Sequence, residues 1–367
     1  MLKITAKIRL NPNAEQHKLL LRTLETANQC ANWLSNEAWE RQTFRQFDLH
    51  KLLYYTARER FSLSAQMTVH VFGKVADAYK LDKKVERRFA KHGAISYDSR
   101  ILSIGKERVS IWTMDGRETM PYSAGERQKQ QLLAQQGESD LIYHCGKFFL
   151  AATCNVDDPE PQAVDEFLGI DMGVVVIAAD SDGESFSGSH LNNVRFRHRK
   201  LRKELQATGT PSAKRHLKQL SGKEARFSQT VNHTIAKKIV EKAKRTMRGI
   251  AIEELTGIRA RIRARKTQRA VLHSWAFAQL GQFLKYKSVL AGVPLVEVDP
   301  RNTSRECSEC RHIEKLNRPS QSKFRCRSCG HSANADTNAA RNISVRANVN
   351  RPIVTACFIR QLQATGF

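Results

Sequence analysis

CSECRHIEKLNRPSQSKFRCRSCGHSANADTNAARN, residues 307–342, is the stretch on which the fold turns. Its cysteines, Cys307, Cys310, Cys326 and Cys329, follow the spacing C-x2-C-x15-C-x2-C. Each C-x-x-C turn presents two sulfurs on one side of a tight loop, and four thiolates so placed can close a tetrahedral shell around one zinc ion. Seven residues past the last cysteine comes Asp336, in the run NADTNAARNI, where Ala339 and Ala340 would let a helix sit close against a neighbour. A structural metal beside a lone acid suggests an enzyme of nucleic acids. The alternative is a plain zinc ribbon in an RNA-binding protein, with Asp336 serving only as a helix cap.

Working outward, the 367 residues have room for two or three domains, with enough apolar content for real cores. Lys and Arg number 61 against 36 Asp and Glu, a net charge of +25. Such an excess favours a polyanionic partner through phosphate neutralisation and counterion release, so nucleic acid is the first expectation. A membrane surface is disfavoured, because MLKITAKIRLNPNAEQ has no apolar h-region and no later segment reaches about eighteen uninterrupted apolar residues. A soluble, cytoplasmic protein is expected. Cys30, Cys145, Cys154 and Cys357 lie scattered in apolar surroundings and read as reduced and structural.

Residues 2–9 alternate like a strand, and Pro12 opens a helical stretch with Leu19, Leu20, Leu24, Ala27, Ala31 and Leu34 on one face. Helical periods continue through Leu49–Phe61 and Ala65–Lys80, with Tyr54, Tyr55 and Phe72 among basic residues; core packing explains these aromatics as well as a nucleic-acid contact does. From about Ala94, short β runs (ISYDSRILSI, RVSIWTM, KFFLAATCNV) alternate with turns such as Asp115-Gly116. The first strand and these runs would make one β-barrel interrupted by a helical bundle. VDDPEPQAVDE (156–166) reads as a linker. Beyond it come the strand FLGIDMG, VVVIAADSDG and a return strand ending near Ser189. A long helical region from about Asn193 to Thr246 follows, then the strand GIAIEEL, the helix HSWAFAQLGQFLKYK, the strand VPLVEV and the ribbon. This β-β-β-α-β-α-β order is that of an RNase H-like α/β fold.

Hydrolysing a phosphodiester needs an in-line nucleophile and a place for charge on the leaving oxygen, which two divalent ions about 3.5–4 Å apart can supply. Converging carboxylates hold such ions. Asp171 ends an apolar strand flanked by glycines, and Glu253 and Glu254 lie in another apolar strand, where buried acids need a cation. Adjacent strand residues face opposite ways, so the sequence leaves open which of Glu253 and Glu254 joins Asp171 and Asp336.

GIDMG, IEEL and the block CSEC–CRSCG–NADTNAARN, in that order, resemble the three split RuvC motifs and embedded zinc ribbon of the TnpB proteins, transposon-encoded relatives of type V CRISPR nucleases. The helix HSWAFAQLGQFLKYK, the lead-in VDPRNTSREC and the N-terminal strand-then-helices layout extend the resemblance over nearly the whole chain. It implies RNA-guided cleavage of double-stranded DNA, in which a noncoding RNA from the transposon end pairs with a target strand and the protein first reads a short adjacent DNA motif. It also implies that Asp171, Glu253 and Asp336 are the catalytic acids and hold two magnesium ions. Glu253 is preferred to Glu254 because the family's catalytic Glu is the first of the acidic pair. By the same resemblance, residues 1–10 and 94–160 form a wedge-like β-barrel and 11–93 a helical recognition bundle. A RuvC-like nuclease domain takes 165–300 and 333–350, a zinc ribbon binding target nucleic acid takes 301–332, and a tail takes 351–367. One departure is Arg311, where the family often has glycine after the second cysteine, which puts the turn of that knuckle in question. The readings to be separated from a nuclease are a transposase performing strand transfer and a nuclease-inactive RNA-guided DNA-binding repressor.

From Arg195 to Arg248 only Glu204, Glu224 and Glu241 interrupt a strongly basic helical region. A merely solvated face would interleave more Glu for i,i+4 pairing. Arg197, Arg199, Lys200, Arg202 and Lys203 are therefore expected to grip the backbone of a guide RNA or guide–target duplex. GIRARIRARKTQR (257–269) is a lid or a surface loop. Leu272, Ala276, Leu280, Phe283 and Leu284 make a core stripe with Trp275, and His273 reads as structural.

Overall fold

A computed structural model of the protein describes residues 2–157, 159–254 and 277–349. The chain divides into two compact units, residues 1–157 and 158–367. In the first, β1 (Leu2–Leu10) is alternately exposed and buried, with Ala6, Ile8 and Leu10 inward and Lys7 and Arg9 outward. It takes the middle of a seven-stranded antiparallel sheet of order β2-β6-β7-β1-β5-β4-β3. The other strands are β2 (Ile95–Tyr97), β3 (Leu102–Ile104), β4 (Arg108–Thr113), β5 (Gly116–Ser123), β6 (Gln135–His144) and β7 (Lys147–Val156). Between β1 and β2 the chain makes three helices, α1 (Ala14–Glu40), α2 (Gln46–Phe61) and α3 (Ala65–Leu81), and a short α4 (Glu126–Leu132) precedes β6.

Pro12 stands ahead of α1 and does not open it. The cap is Asn13, whose side chain accepts from the Gln16 N–H at 2.8 Å while the Gln16 side chain accepts from the Asn13 N–H at 3.2 Å. Phe72 is fully buried, Tyr54 stacks on His50 at 4.4 Å, and Tyr55 is exposed. Cys30 and Cys154 are buried as expected. Cys145 is not: it sits exposed in the two-residue β6–β7 turn with φ 49°, followed by Gly146 at 76°.

The second unit is built on a five-stranded sheet of order β10-β9-β8-β11-β12. Its strands are β8 (Phe167–Asp171), β9 (Val176–Asp180), β10 (Ser185–Ser187), β11 (Gly249–Glu253) and β12 (Leu295–Val298). β8, β9 and β10 form an antiparallel meander, whereas β11 runs parallel to β8 and β12 parallel to β11. α5 (Ser189–Thr208) and α6 (Pro211–Arg245) separate β10 from β11, α7 (Phe277–Ala291) precedes β12, and α8 (Ala335–Val349) follows the ribbon. The long helical region is two helices, divided where Gly209 takes φ 67°, Thr210 caps α6 and Pro211 enters its first turn. The segment expected as a linker is docked: Gln162 N–H donates to the Gly292 carbonyl at 2.8 Å, and Val164 packs into a core.

Strand alternation sends Leu168, Ile170, Ile250 and Ile252 into a core with Ile235, Ala236 and Ile239 of α6 and Leu280 and Leu284 of α7. Phe167, Ala251 and Val298 join Ile343 and Ala347 of α8 on the other face. A parallel pair covered on both sides needs continuous apolar strands. β8 and β11 are buried through their first four residues, and each becomes half-buried only at its last, Asp171 and Glu253 respectively.

Candidate active site, metal centre and nucleic-acid interface

Register puts two acids side by side. Gly249 pairs with Phe167, Ala251 with Gly169 and Ile252 with Ile170, so the next step along the parallel strands brings Glu253 beside Asp171. Both share the parity of Phe167 and Ala251, hence the face covered by α8. Glu254, past the strand end, is exposed and donates its N–H to the Val298 carbonyl at 2.9 Å.

α8 brings the third acid by commensurate steps. The Ser344 hydroxyl donates to the Phe167 carbonyl at 2.6 Å, and a Cβ on Gly169 would lie 2.0 Å from the Ala340 oxygen. Four helix residues rise about 6.0 Å and two strand residues about 6.6 Å, so positions 344, 340 and 336 run over 167, 169 and 171. Asp336 is not the cap of α8, because Asn334 accepts from the N–H groups of Asp336 at 2.9 Å and Thr337 at 3.3 Å. Burial, then the charges of Glu253 and Asp336, push the Asp171 carboxyl up to about 7. Burial likewise raises Glu253, against a 2.6 Å hydrogen bond from the Thr303 hydroxyl.

Arg318, from the ribbon, donates to Asp336 Oδ1 at 3.0 Å and draws the Asp171 carboxyl down. Three half-buried carboxylates with one guanidinium leave a negative excess that a hard divalent cation would neutralise, and an all-oxygen donor set suits magnesium rather than zinc. Sequence reasoning missed Arg318 and Thr303. Thr303 lies in the lead-in VDPRNTSREC, whose resemblance did not single it out, and Arg318 carries no motif of its own; each reaches its acid through one side-chain contact that only the folded chain sets.

The cysteines meet as their spacing requires. All four sulfurs lie within 4.8 Å of one another, with Cys307 to Cys329 at 3.7 Å and Cys310 to Cys326 at 3.5 Å. A tetrahedral zinc with sulfurs about 2.3 Å away has edges of about 3.8 Å, so the four residues fit the ion. Among the described residues no other donor set closes so tightly, and the three carboxylates are more widely spaced. The questioned turn forms: Arg311 adopts φ 65° where the second knuckle has Gly330 at 76°, and it donates to the Asn342 side chain at 3.3 Å. The buried Asn317 joins the knuckles, donating to the carbonyls of Arg305 and His312 and accepting from the Arg327 N–H.

The expected phosphate contacts divide. Arg202 is ion-paired with Glu224, which Arg195 and His198 also face at 3.8 and 3.9 Å, so it is committed within the α5–α6 hairpin. Arg197, Arg199, Lys200 and Lys203 are exposed and have no ion pair among the described residues. Leu191, Val194, His198, Leu201 and Leu205, the less exposed positions, recur at helical spacing toward α6. On the opposite face, amid Arg199, Lys200 and Lys203, stands Phe196, 70% exposed, which the basic run had concealed. The segment 257–269, His273, Trp275, the tail 351–367 and Cys357 lie outside the described residues. Among the described residues no helix is long and apolar enough to cross a membrane.

Residues 277–343 match the family described as Cas12f1-like, TNB domain. The CRISPR-associated endodeoxyribonuclease Cas12f1 of Sulfoacidibacillus thermotolerans is 35% identical over 209 residues, covering 51% of this chain and 48% of that protein. A TnpB-like protein of Methanocaldococcus jannaschii is 30% identical over 128 residues, covering 35% of this chain and 45% of its own. The chain thus spans about half the length of the curated relatives it matches. A Cas12f1 chain solved by cryo-EM in complex with sgRNA and target DNA aligns with a TM-score of 0.61 over 90% of this chain and 83% of that one. At 16% identity that likeness speaks for the fold. With the acids and cysteines in the order described, the chain is similar to TnpB-like proteins and to Cas12f nucleases.

Proposed function

We propose that the protein is an RNA-guided endonuclease that cleaves double-stranded DNA beside a short transposon-associated motif, using a noncoding guide RNA from the transposon end. One observation carries the reading: the carboxylates of Glu253 and Asp336, from two other elements, both reach Asp171 at one end of the sheet and make its ionisation costlier, while Asn334 does the capping that would otherwise account for Asp336. On this reading these three acids are catalytic and hold two magnesium ions. When bound, the ions would lower the pKa of the attacking water and neutralise charge on the departing 3′ oxygen. Arg318 would add positive charge beside the reacting phosphate, and the ribbon would hold a structural zinc on Cys307, Cys310, Cys326 and Cys329.

The first unit would supply the wedge barrel (1–10 and 94–160) and recognition bundle (11–93), and the second the RuvC-like domain (165–300 and 333–350) with its ribbon (301–332). Arg197, Arg199, Lys200 and Lys203 would follow phosphates, with Arg202 serving the hairpin. The cytoplasm is where such a protein would meet its DNA. Relatives named as endodeoxyribonucleases support the chemistry. The test is cleavage of a matched duplex by the purified protein with its co-purified RNA and magnesium. Asp171→Ala should abolish cleavage and retain guided binding; a variant that still cuts would remove the metal assignment. Joined strand-transfer products would make the protein a transposase, and binding by the wild type without cleavage a repressor.

A further inference from the structure

Two of the three acids are touched by residues of the ribbon and its lead-in, and the contact to Glu253 is the more deeply built. Thr303 is buried, and its hydroxyl lies 2.6 Å from Glu253 Oε1 and 3.0 Å from the Pro300 carbonyl. A hydroxyl has one proton, and the shorter contact to the acid takes it. The backbone beneath Thr303 is fixed by one face of α8. Asn342 donates to the carbonyls of Thr303 at 2.9 Å and Glu306 at 2.7 Å, and Asn338 donates to Glu306 at 2.8 Å while accepting from the Ser308 N–H at 3.0 Å. Arg346 donates to the carbonyls of Asp299 and Arg301 and pairs with Glu306 at 2.5 Å. Positions 338, 342 and 346 recur every four residues, so one stripe of α8 holds the whole lead-in, which then enters the first zinc knuckle at Cys307.

We propose that Thr303 is a positioning residue that orients the Glu253 carboxylate for a divalent cation, and that the zinc ribbon, by fixing the lead-in, sets the affinity of the acid cluster for that cation. A hydroxyl donating to one oxygen leaves the other free and stops the side chain from swinging about its last torsion. Outer contacts of this kind govern metal affinity as strongly as many direct ligands do. The inference rests on the acid cluster being a divalent-cation site, as the proposed function holds.

The experiment titrates manganese(II) into the full-length, zinc-loaded protein in the absence of nucleic acid, following heat and the electron-spin signal of free manganese. Wild type, Asp171→Ala, Thr303→Val and Thr303→Ser are compared, with melting temperature and zinc content recorded for each. Thr303→Val keeps the shape and removes the hydroxyl; it should weaken manganese binding by about 10- to 100-fold at unchanged zinc content. Thr303→Ser should restore affinity to within a few-fold of wild type. Cys310→Ser, which loosens the first knuckle, should weaken manganese similarly, and adding Thr303→Val to it should cost little more. Wild-type affinity in Thr303→Val overturns the inference while leaving the acid cluster intact. Binding in Asp171→Ala equal to wild type overturns the cation site itself. Failure of Thr303→Ser to rescue assigns the residue a packing role instead.

Discussion

Asp171 links the chemistry of the site to the stability of the chain. Its carboxyl titrates near 7 in the folded protein against an ordinary 3.8, so the folded state binds the proton more tightly than the unfolded one does. Below about pH 4 both states are protonated and nothing is lost; as pH rises from there through 7, the fold must hold a charge it disfavours. The cost at alkaline pH is at most about 4 kcal/mol, three pKa units at about 1.4 each. In magnesium-free, zinc-replete buffer, Asp171→Asn should therefore raise the melting temperature at pH 8 and leave it nearly unchanged at pH 4; equal effects at both would show that the charge is not the strained element. Of this site, the cysteine cluster was legible, because chain spacing alone dictates a knuckle, whereas an acid closing the apolar strand at Asp171 is a weak signal until Glu253 and Asp336 are brought beside it. The choice between Glu253 and Glu254 was not, since it depends on register with β8, which side-chain type does not encode. Asn334 stands two residues ahead of Asp336 as a readable cap signal, and it relieves Asp336 of the capping role.

Between elements, α8 lies close against β8, and one glycine permits it. A Cβ at Gly169 would lie 2.0 Å from the Ala340 oxygen and 2.6 Å from the Ser344 nitrogen, both backbone atoms that cannot turn aside. Gly169→Ala should destabilise the second unit by about 3 kcal/mol in denaturant unfolding, because helix and strand must part. The same replacement at Gly281, in α7, meets nothing within 4 Å among the described residues and should stabilise by about 0.5–1 kcal/mol through helix propensity. If the two variants unfold alike, the tight seat of α8 is not what brings Asp336 to Asp171. The glycines of GIDMG did announce a close backbone approach, but its partner lies more than 160 residues on and no local pattern names it. The break between α5 and α6 is different in kind: Gly209, Thr210 and Pro211 spell a helix stop and start, and the long basic period hid them.

Over the whole molecule, the +25 charge bounds the partner but not the grip, and the two can be separated by salt. Cations that neutralise phosphates release counterions, so each contact contributes about −0.7 to −0.9 to the slope of log affinity on log salt. Replacing Arg197, Arg199, Lys200 and Lys203 by Gln should flatten the slope for RNA by about 3, whereas Arg202→Gln, already matched to Glu224, should change it little and lower the melting temperature instead. Phe196 would add a contact of another kind, since an exposed ring among cations offers a face on which an unpaired base can stack, worth about 1–3 kcal/mol. Phe196→Ala should weaken RNA binding about 5- to 100-fold with the salt slope unchanged. A parallel loss of slope would mean that the ring merely supports the neighbouring cations, and no loss at all would remove this face of α5 from the interface.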